Sequence, residues 1–246
     1  DIVKKHKNEL AGLIIEPMIQ GAAGMITQPK GYLKSIRKIC DKYGILMIVD
    51  EVATGFGRTG SMFACEKEDV KPDIMCVAKG ITGGYLPLAA TLTTQKIFNA
   101  YLGEYKDKKT FFHGHTYTGN PLGCTAALAS LKIFKKENVL GKLQPKIKLL
   151  TDELKKFKKL GHVGDIRQCG FMVGIELVKD KSTKEPYKYE ERKGINVCMD
   201  TKKRGLILRP LGDVVVLMPP LSIKEKELKK MLEITYNSII KIMGIN

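Results

Sequence analysis

One aspartate and one lysine, each following an apolar run, are the residues of this chain best placed to do chemistry. Asp50 closes the run 45–49, and Lys79 follows the run 74–78. Both runs have the composition of buried strands in a parallel sheet, and open α/β sheets bind ligands at the carboxyl ends of such strands. A carboxylate there can stabilise a protonated pyridine nitrogen, and a partly desolvated lysine can act as a nucleophile and proton carrier. The pair therefore predicts pyridoxal phosphate (PLP) chemistry.

Each feature taken alone has an ordinary explanation. An aspartate after a strand is common in α/β proteins, and a Lys-Gly pair can simply begin a loop. The glycines of segment 55–60 could also mark a dinucleotide site, because Gly-x-Gly turns bind pyrophosphate at helix N-termini. Gly55, Gly57 and Gly60 have the spacing of that fingerprint, but a dinucleotide fingerprint lies between a strand and the helix that it opens, and no helix is predicted directly after Gly60. We interpret segment 55–60 as a tight loop that walls a cofactor pocket.

The elements that must position this pair are predicted from apolar patterns and breaking residues. A strand at 12–15, a helix from about 30 to 43 that Gly44 ends, and the Asp50 strand form a βαβ unit. After the Lys79 strand we predict, in order, a strand at 89–93, a helix at 96–102, a polar loop at 111–121 and an apolar helix at 122–134. A lysine-rich helix then runs from about 138 to 160, followed by strands at 163–167, 172–177 and 214–217. The second set predicts helices packed on a small antiparallel sheet.

Composition limits the function classes. The chain has 246 residues and a net charge of +16, but its lysines are spread over predicted helix faces without an aromatic platform. We therefore expect a solvated basic surface and no nucleic-acid partner. No apolar stretch has the roughly 18–20 residues that span a bilayer. The polar start is unlike a secretory signal, and the six cysteines lack metal or disulfide spacing, as does His113-Gly114-His115. We expect a cytoplasmic protein without a metal site or a membrane partner.

The order of these motifs resembles the class III aminotransferases. The matching parts are Asp50-Glu51-Val52, then Gly-Phe-Gly-Arg-Thr-Gly at 55–60, Pro-Asp at 72–73 and Lys79-Gly80. This resemblance implies an α/β protein of PLP-dependent transferase fold type I. Residues 1–138 would be the second half of the large, mostly parallel PLP-binding domain, and residues 139–246 a C-terminal α+β small domain. The resemblance covers only the later part of such enzymes, so we expect an earlier region to supply the phosphate cup and the ring-stacking aromatic residue.

The same resemblance implies roles for individual residues. Lys79 would be the catalytic Schiff-base lysine, and Asp50, Val52, Lys79 and Thr116 would bind PLP. Thr116 matches a threonine that reaches the cofactor phosphate of the neighbouring subunit, which implies a homodimer. A threonine that bonds its own loop is the alternative. Gly114 and Arg209 would bind substrate.

Three segments, at 113–120, 164–168 and 209–220, resemble one branch of the family. That branch transfers an amino group from adenosylmethionine or lysine to 8-amino-7-oxononanoate, giving 7,8-diaminononanoate in biotin biosynthesis. Arg209 would bind the remote carboxylate of this keto acid, since a guanidinium pairs with a carboxylate bidentately. Without the resemblance, Arg209 is an exposed arginine before a turn-forming proline. The alternatives are an ornithine- or 4-aminobutyrate-type ω-aminotransferase, and an inactive half-enzyme that needs a separate N-terminal piece.

Overall fold

The computed structural model of the protein describes residues 1–244. Its helices are α1 Ile2–His6, α2 Tyr32–Tyr43, α3 Gln95–Ala100, α4 Pro121–Lys136, α5 Val139–Phe157, α6 Lys193–Lys203 and α7 Glu225–Met243. Its strands are β1 Gly12–Ile15, β2 Ile19–Gln20, β3 Ile26–Thr27, β4 Leu46–Asp50, β5 Ile74–Val77, β6 Ala90–Thr93, β7 Val163–Cys169, β8 Met172–Leu177, β9 Arg209–Leu211 and β10 Val214–Leu217. The elements predicted from the sequence are present, with small shifts at their ends.

The chain divides into two compact units. The first contains Asp1–Met18, Pro29–Phe56 and Ser61–Asn138, and the second contains Ile19–Gln28, Gly57–Gly60 and the chain from Val139 onwards. Two short segments from the first half of the sequence thus pack with the second unit. The assignment of 1–138 and 139–246 to a large and a small domain stays a prediction.

The sheet of the first unit has the strand order β1-β4-β5-β6. Strands β1, β4 and β5 are parallel, with Ile14 opposite Ile48 and Ile48 opposite Ile74. Strand β6 runs antiparallel to β5 and forms one edge of the sheet. The βαβ unit predicted from the sequence is therefore confirmed, and the sheet is mainly parallel.

Helix α2 packs against this sheet through its apolar face, and both ends of the helix are capped. The Glu68 carboxylate accepts hydrogen bonds from the N–H groups of Gly31 and Lys34, at 2.6 and 2.9 Å, and so caps the N-terminus of the helix. Gly44 ends the helix in the left-handed conformation, with φ 66°. The buried core of the unit contains a cluster of apolar residues, namely Leu33, Cys40, Met47, Val49, Cys65 and Val70.

The second unit is built on an antiparallel sheet with the order β7-β8-β10-β9. Apolar residues of α5, α6 and α7, including Leu150, Val197 and Leu232, share one buried cluster with Ile175 and Val215 of the sheet. The antiparallel sheet packed by helices is as predicted. Two details were missed: β9 was not predicted as a strand, and the loop that follows Pro17 contains the β2–β3 hairpin. Within residues 1–244, no helix is both long enough and apolar enough to span a membrane.

Candidate active site

The structure brings Asp50 and Lys79 to the same end of the first unit's sheet, where the parallel strands β4 and β5 have their carboxyl ends. Asp50 lies opposite Cys76 on the neighbouring parallel strand, three residues before Lys79. The Glu51 N–H donates to the Cys76 carbonyl at 2.9 Å, so the pairing of the strands continues past Asp50. The Asp50 carboxylate accepts a hydrogen bond from the Val52 N–H at 3.0 Å. A half-buried acid and an exposed amine therefore follow adjacent strands at their carboxyl ends.

The backbone at Lys79 has an unusual conformation. Its φ is 47°, in the left-handed region that side chains other than glycine rarely adopt. Lys79 begins a 3-10 turn, Lys79–Thr82, in which the Ile81 N–H bonds the Ala78 carbonyl at 3.1 Å. Helix α4 packs against this turn. Strained backbone of this kind costs about 1–3 kcal/mol and persists only where surrounding structure enforces it.

Glu51, for which the sequence predicts no role, is a buried residue that holds this end of the sheet in place. Its side chain is fully buried and accepts hydrogen bonds from the Thr54 hydroxyl at 2.5 Å and from the N–H groups of Ala64 and Cys65 at 3.0 and 2.9 Å. Burial first, and then the Glu51 carboxylate, raises the pKa of the Cys65 thiol to about 12. The residue next to Asp50 is thus tied to backbone thirteen and fourteen positions away.

The Pro-Asp part of the motif has a structural role. The Asp73 carboxylate accepts hydrogen bonds from the Met47 N–H and from Arg37 of α2, both at 2.7 Å. Burial opposes ionisation of Asp73, yet the bonds from Met47 and Arg37 together hold the pKa of this carboxyl below its usual range. Asp73 therefore joins α2 to the start of the Asp50 strand.

The Gly-Arg-Thr-Gly part of the loop, Gly57–Gly60, is held within the second unit. Arg58 donates to the Pro219 carbonyl at 2.6 Å, and its own carbonyl accepts from the Phe171 N–H at 2.8 Å. Burial lowers the pKa of the Arg58 guanidinium. A Cβ on Gly170 would lie 2.3 Å from the carbonyl carbon of Thr59, so the two backbones touch. That this loop walls a cofactor pocket stays a prediction.

Gly114 and Thr116 lie in an exposed loop of the first unit. A Cβ on Gly114 would meet nothing within 4 Å, so the described chain does not itself require glycine there. Within this loop, the Thr118 hydroxyl accepts a hydrogen bond from the His115 N–H at 3.0 Å. Asn120 then caps helix α4 by accepting from the N–H of Leu122 at 3.1 Å. The structure leaves the roles predicted for Gly114 and Thr116 as predictions.

Arg209 belongs to the second unit. It is the first residue of strand β9 and lies opposite Val216 of β10. Its side chain is exposed, and Gly212, with φ 57°, allows the tight turn that joins the two strands. Pro210 is compatible with β9 because this strand is at the edge of the sheet. Within residues 1–244, no group of three or more His, Cys, Asp or Glu residues is arranged to hold a metal ion.

Comparison with known proteins identifies the class of protein to which this fold and these motifs belong. The family model described as Aminotransferase class-III matches residues 1–239. The chain is a member of the class III aminotransferase family.

Several relatives of the chain have the same name. The chain is 58% identical over 231 residues to an adenosylmethionine-8-amino-7-oxononanoate aminotransferase of Aquifex aeolicus, covering 94% of this chain and 51% of that protein. A protein of the same name from Geobacter sulfurreducens is 56% identical, covering 99% and 54%. The crystal structure of one from Methanocaldococcus jannaschii superposes with a TM-score of 0.95 at 54% identity, covering 97% and 56%. The chain spans about half the length of the curated relatives it matches.

Proposed function

We propose that this chain carries the catalytic lysine of a PLP-dependent aminotransferase. The observation that supports the proposal is the placement of Asp50 and Lys79 at the carboxyl ends of adjacent parallel strands. The chemistry of this donor set fits PLP, which needs a carboxylate for its pyridine nitrogen and an amine for its aldehyde. When bound, the cofactor supplies an electron sink that stabilises negative charge on the substrate carbon.

The residues of the chain have separate roles in this proposal. The Asp50 carboxylate, which the Val52 N–H helps to orient, holds the proton on the ring nitrogen. The Lys79 amine holds the cofactor covalently and afterwards moves the proton at the substrate carbon, as a general base and then a general acid. Glu51 keeps the strand end in place through its bonds to Thr54 and the Ala64 and Cys65 backbone.

We propose 8-amino-7-oxononanoate as the amino acceptor, with adenosylmethionine or lysine as the donor and 7,8-diaminononanoate as the product. The names of the relatives at 54–58% identity support this choice over a 4-aminobutyrate enzyme, since a rice relative named as a probable gamma-aminobutyrate transaminase is 36% identical. Arg209 would bind the remote carboxylate of the acceptor, and Gly114 would allow close approach of the ligand.

Further parts of the proposal concern the assembly and location. We propose a homodimer in which Thr116 binds the cofactor phosphate of the neighbouring subunit. The exposed apolar side chains near this loop support a partner surface, and Phe112 (94% exposed) and Leu122 (71%) are the clearest examples. All six cysteines are free thiols, which supports a reducing compartment such as the cytoplasm.

The experiment is a visible absorption spectrum of the purified chain with PLP, for the wild type, Lys79→Ala and the control Lys96→Ala. We expect a shifted cofactor band in the wild type and the control that is absent in Lys79→Ala. A band that survives in Lys79→Ala would refute the assignment of the lysine. No band in any of the three would favour the half-enzyme alternative, in which this chain holds the cofactor only together with a second polypeptide.

A substrate assay tests the acceptor. Arg209→Lys keeps the positive charge but loses the bidentate fork, so we expect a higher KM for 8-amino-7-oxononanoate with little change in kcat. An unchanged KM would refute the role of Arg209. Preferred amination of a keto acid related to ornithine or 4-aminobutyrate would favour the other branch of the family.

A further inference from the structure

The residue that follows the proposed catalytic lysine is in close contact with a buried aromatic side chain. A Cβ placed on Gly80 would lie 2.8 Å from Cβ of Phe56, 3.1 Å from its Cδ2 and 3.2 Å from its Cγ. Real Cβ atoms essentially never approach another atom within 3.0 Å. The backbone of Gly80 therefore rests directly on the side chain of Phe56, and only glycine fits at this position.

Phe56 is itself firmly held. It is 4% exposed, and its ring packs edge-on against Phe63 with the ring centroids 5.5 Å apart and the planes at 69°. The preceding residue, Gly55, donates its N–H to the Glu51 carbonyl at 2.9 Å. A Cβ on Gly55 would lie 2.8 Å from that same oxygen, so the approach to Phe56 is tightly packed as well. Phe56 thus forms a fixed surface beside the Lys79 turn.

Two residues with a left-handed backbone lie at this contact: Phe56 itself, and Lys79, which precedes Gly80. Lys79 has φ 47° and Phe56 has φ 55°, although neither is glycine. Residues in such conformations keep them only where the surrounding packing allows no relaxation. Within the turn after Lys79, the Ile81 N–H bonds the Ala78 carbonyl at 3.1 Å and the Gly83 N–H bonds the Gly80 carbonyl at 3.0 Å, and the Thr82 hydroxyl donates to the Leu86 carbonyl at 2.6 Å. The side chain of Phe56 packs against this short turn at Gly80, in addition to helix α4.

We propose that Phe56 is a positioning residue for Lys79. By pressing on Gly80, it holds the Lys79 backbone in the left-handed conformation and so keeps the amine at the edge of the sheet where Asp50 lies. This inference deepens the proposed function and rests on it for the role of Lys79. The claim about the backbone of the turn stands on the Phe56–Gly80 contact alone.

Phe56→Leu and Phe56→Ala separate this contact from general packing. Leucine keeps the Cβ, Cγ and Cδ atoms that face Gly80 and loses the outer ring that meets Phe63, whereas alanine keeps only the Cβ and loses the Cγ, the Cδ and the outer ring. Leu33→Ala, in the buried core of the same unit, is the control for destabilisation alone. The measurement is the rate at which PLP becomes attached to Lys79, trapped with borohydride at a series of PLP concentrations and located by peptide mass.

In this reaction the lysine nitrogen bonds to the aldehyde carbon, the aldehyde oxygen leaves as water, and borohydride delivers hydride to the resulting carbon–nitrogen double bond. We expect Phe56→Ala to lower the limiting attachment rate by at least about tenfold, since a misplacement of about 1 Å can cost a hundredfold. The PLP concentration at half-saturation should change little. Phe56→Leu and Leu33→Ala should keep the wild-type rate. A Phe56→Ala rate equal to the wild-type rate would overturn the proposal, and so would an equal loss in Leu33→Ala.

Hydrogen exchange of the chain without cofactor provides the second measurement. We expect the N–H groups of Ile81 and Gly83 to exchange faster in Phe56→Ala, and to keep their protection in Phe56→Leu. Unchanged protection in Phe56→Ala would overturn the proposal independently of any chemistry. If wild-type Lys79 takes up no PLP, the proposed function fails, while the exchange result still decides whether Phe56 holds the turn.

Discussion

Replacement of Glu51 by glutamine should weaken the first unit by a predictable amount. The carboxylate uses both oxygens: one accepts from the Thr54 hydroxyl and the Ala64 N–H, and the other from the Cys65 N–H. Glutamine has the same shape but only one accepting oxygen, so at least one of these buried N–H groups loses its acceptor and faces an NH₂ group. Since Glu51 is fully buried, water cannot replace that acceptor.

The expected cost is about 1.5–3 kcal/mol for one lost hydrogen bond to a charged group. Glu51→Ala removes all three bonds and leaves a cavity, so its cost should be larger, about 3–5 kcal/mol. The assay is urea unfolding, with Glu66→Gln as the matched control because Glu66 is exposed and the same charge is removed. We expect the control to change the free energy of unfolding by less than about 0.5 kcal/mol.

Hydrogen exchange locates the effect. In Glu51→Gln, the N–H groups of Ala64 and Cys65 should lose more protection than the N–H groups of helix α2, because only the former donate to Glu51. Equal stability of Glu51→Gln and wild type would refute the reasoning. A loss of protection that is uniform over the whole unit would show that Glu51 does not act on the Ala64 and Cys65 backbone in particular.

Two further predictions concern the second unit. Asp200→Asn should lower stability at pH 7 by about 1.5–3 kcal/mol. The Lys241 ammonium first, and then the Arg204 guanidinium, hold the pKa of the Asp200 carboxyl well below its usual range. This contribution is complete above the unfolded pKa of about 3.9 and is lost as the pH falls towards the depressed folded pKa, so urea midpoints of variant and wild type should converge below about pH 4. Gly170→Ala should lower the melting temperature far more than Gly205→Ala in a thermal melt. Both glycines have positive φ, but a methyl group at Gly170 would meet Thr59 at 2.3 Å, whereas Gly205 faces open space.

The sequence predicted the parts of the fold that depend on local pattern. The apolar runs at 12–15 and before Asp50 have strand composition, and the helix between them ends at a left-handed glycine, so the βαβ unit could be predicted. Strand β9 was missed because a three-residue edge strand that contains Pro210 has no periodicity to detect. The β2–β3 hairpin was missed for the same reason, since each strand has two residues.

In the candidate site, too, the residues marked by a local pattern were predicted and the others were missed. Asp50 and Lys79 were found because each stands at the end of an apolar run, and strand ends meet in a parallel sheet. Glu51 was missed because its partners are backbone N–H groups far along the chain, which leave no trace in residue type. The contact of Phe56 with Gly80 joins residues of two separate motifs. A Gly at 80 signals a close approach, but it does not name the approaching residue.

The most direct test of the account is to find which lysine takes up PLP. The wild-type chain is mixed with a slight excess of PLP, reduced with borohydride and digested, and the modified peptides are located by mass. We predict that the modification is concentrated on Lys79, is lost in Lys79→Ala and is weakened in Asp50→Asn. Modification spread over the many exposed lysines, or unchanged in Lys79→Ala, would contradict the claim that Asp50 and Lys79 form the cofactor site.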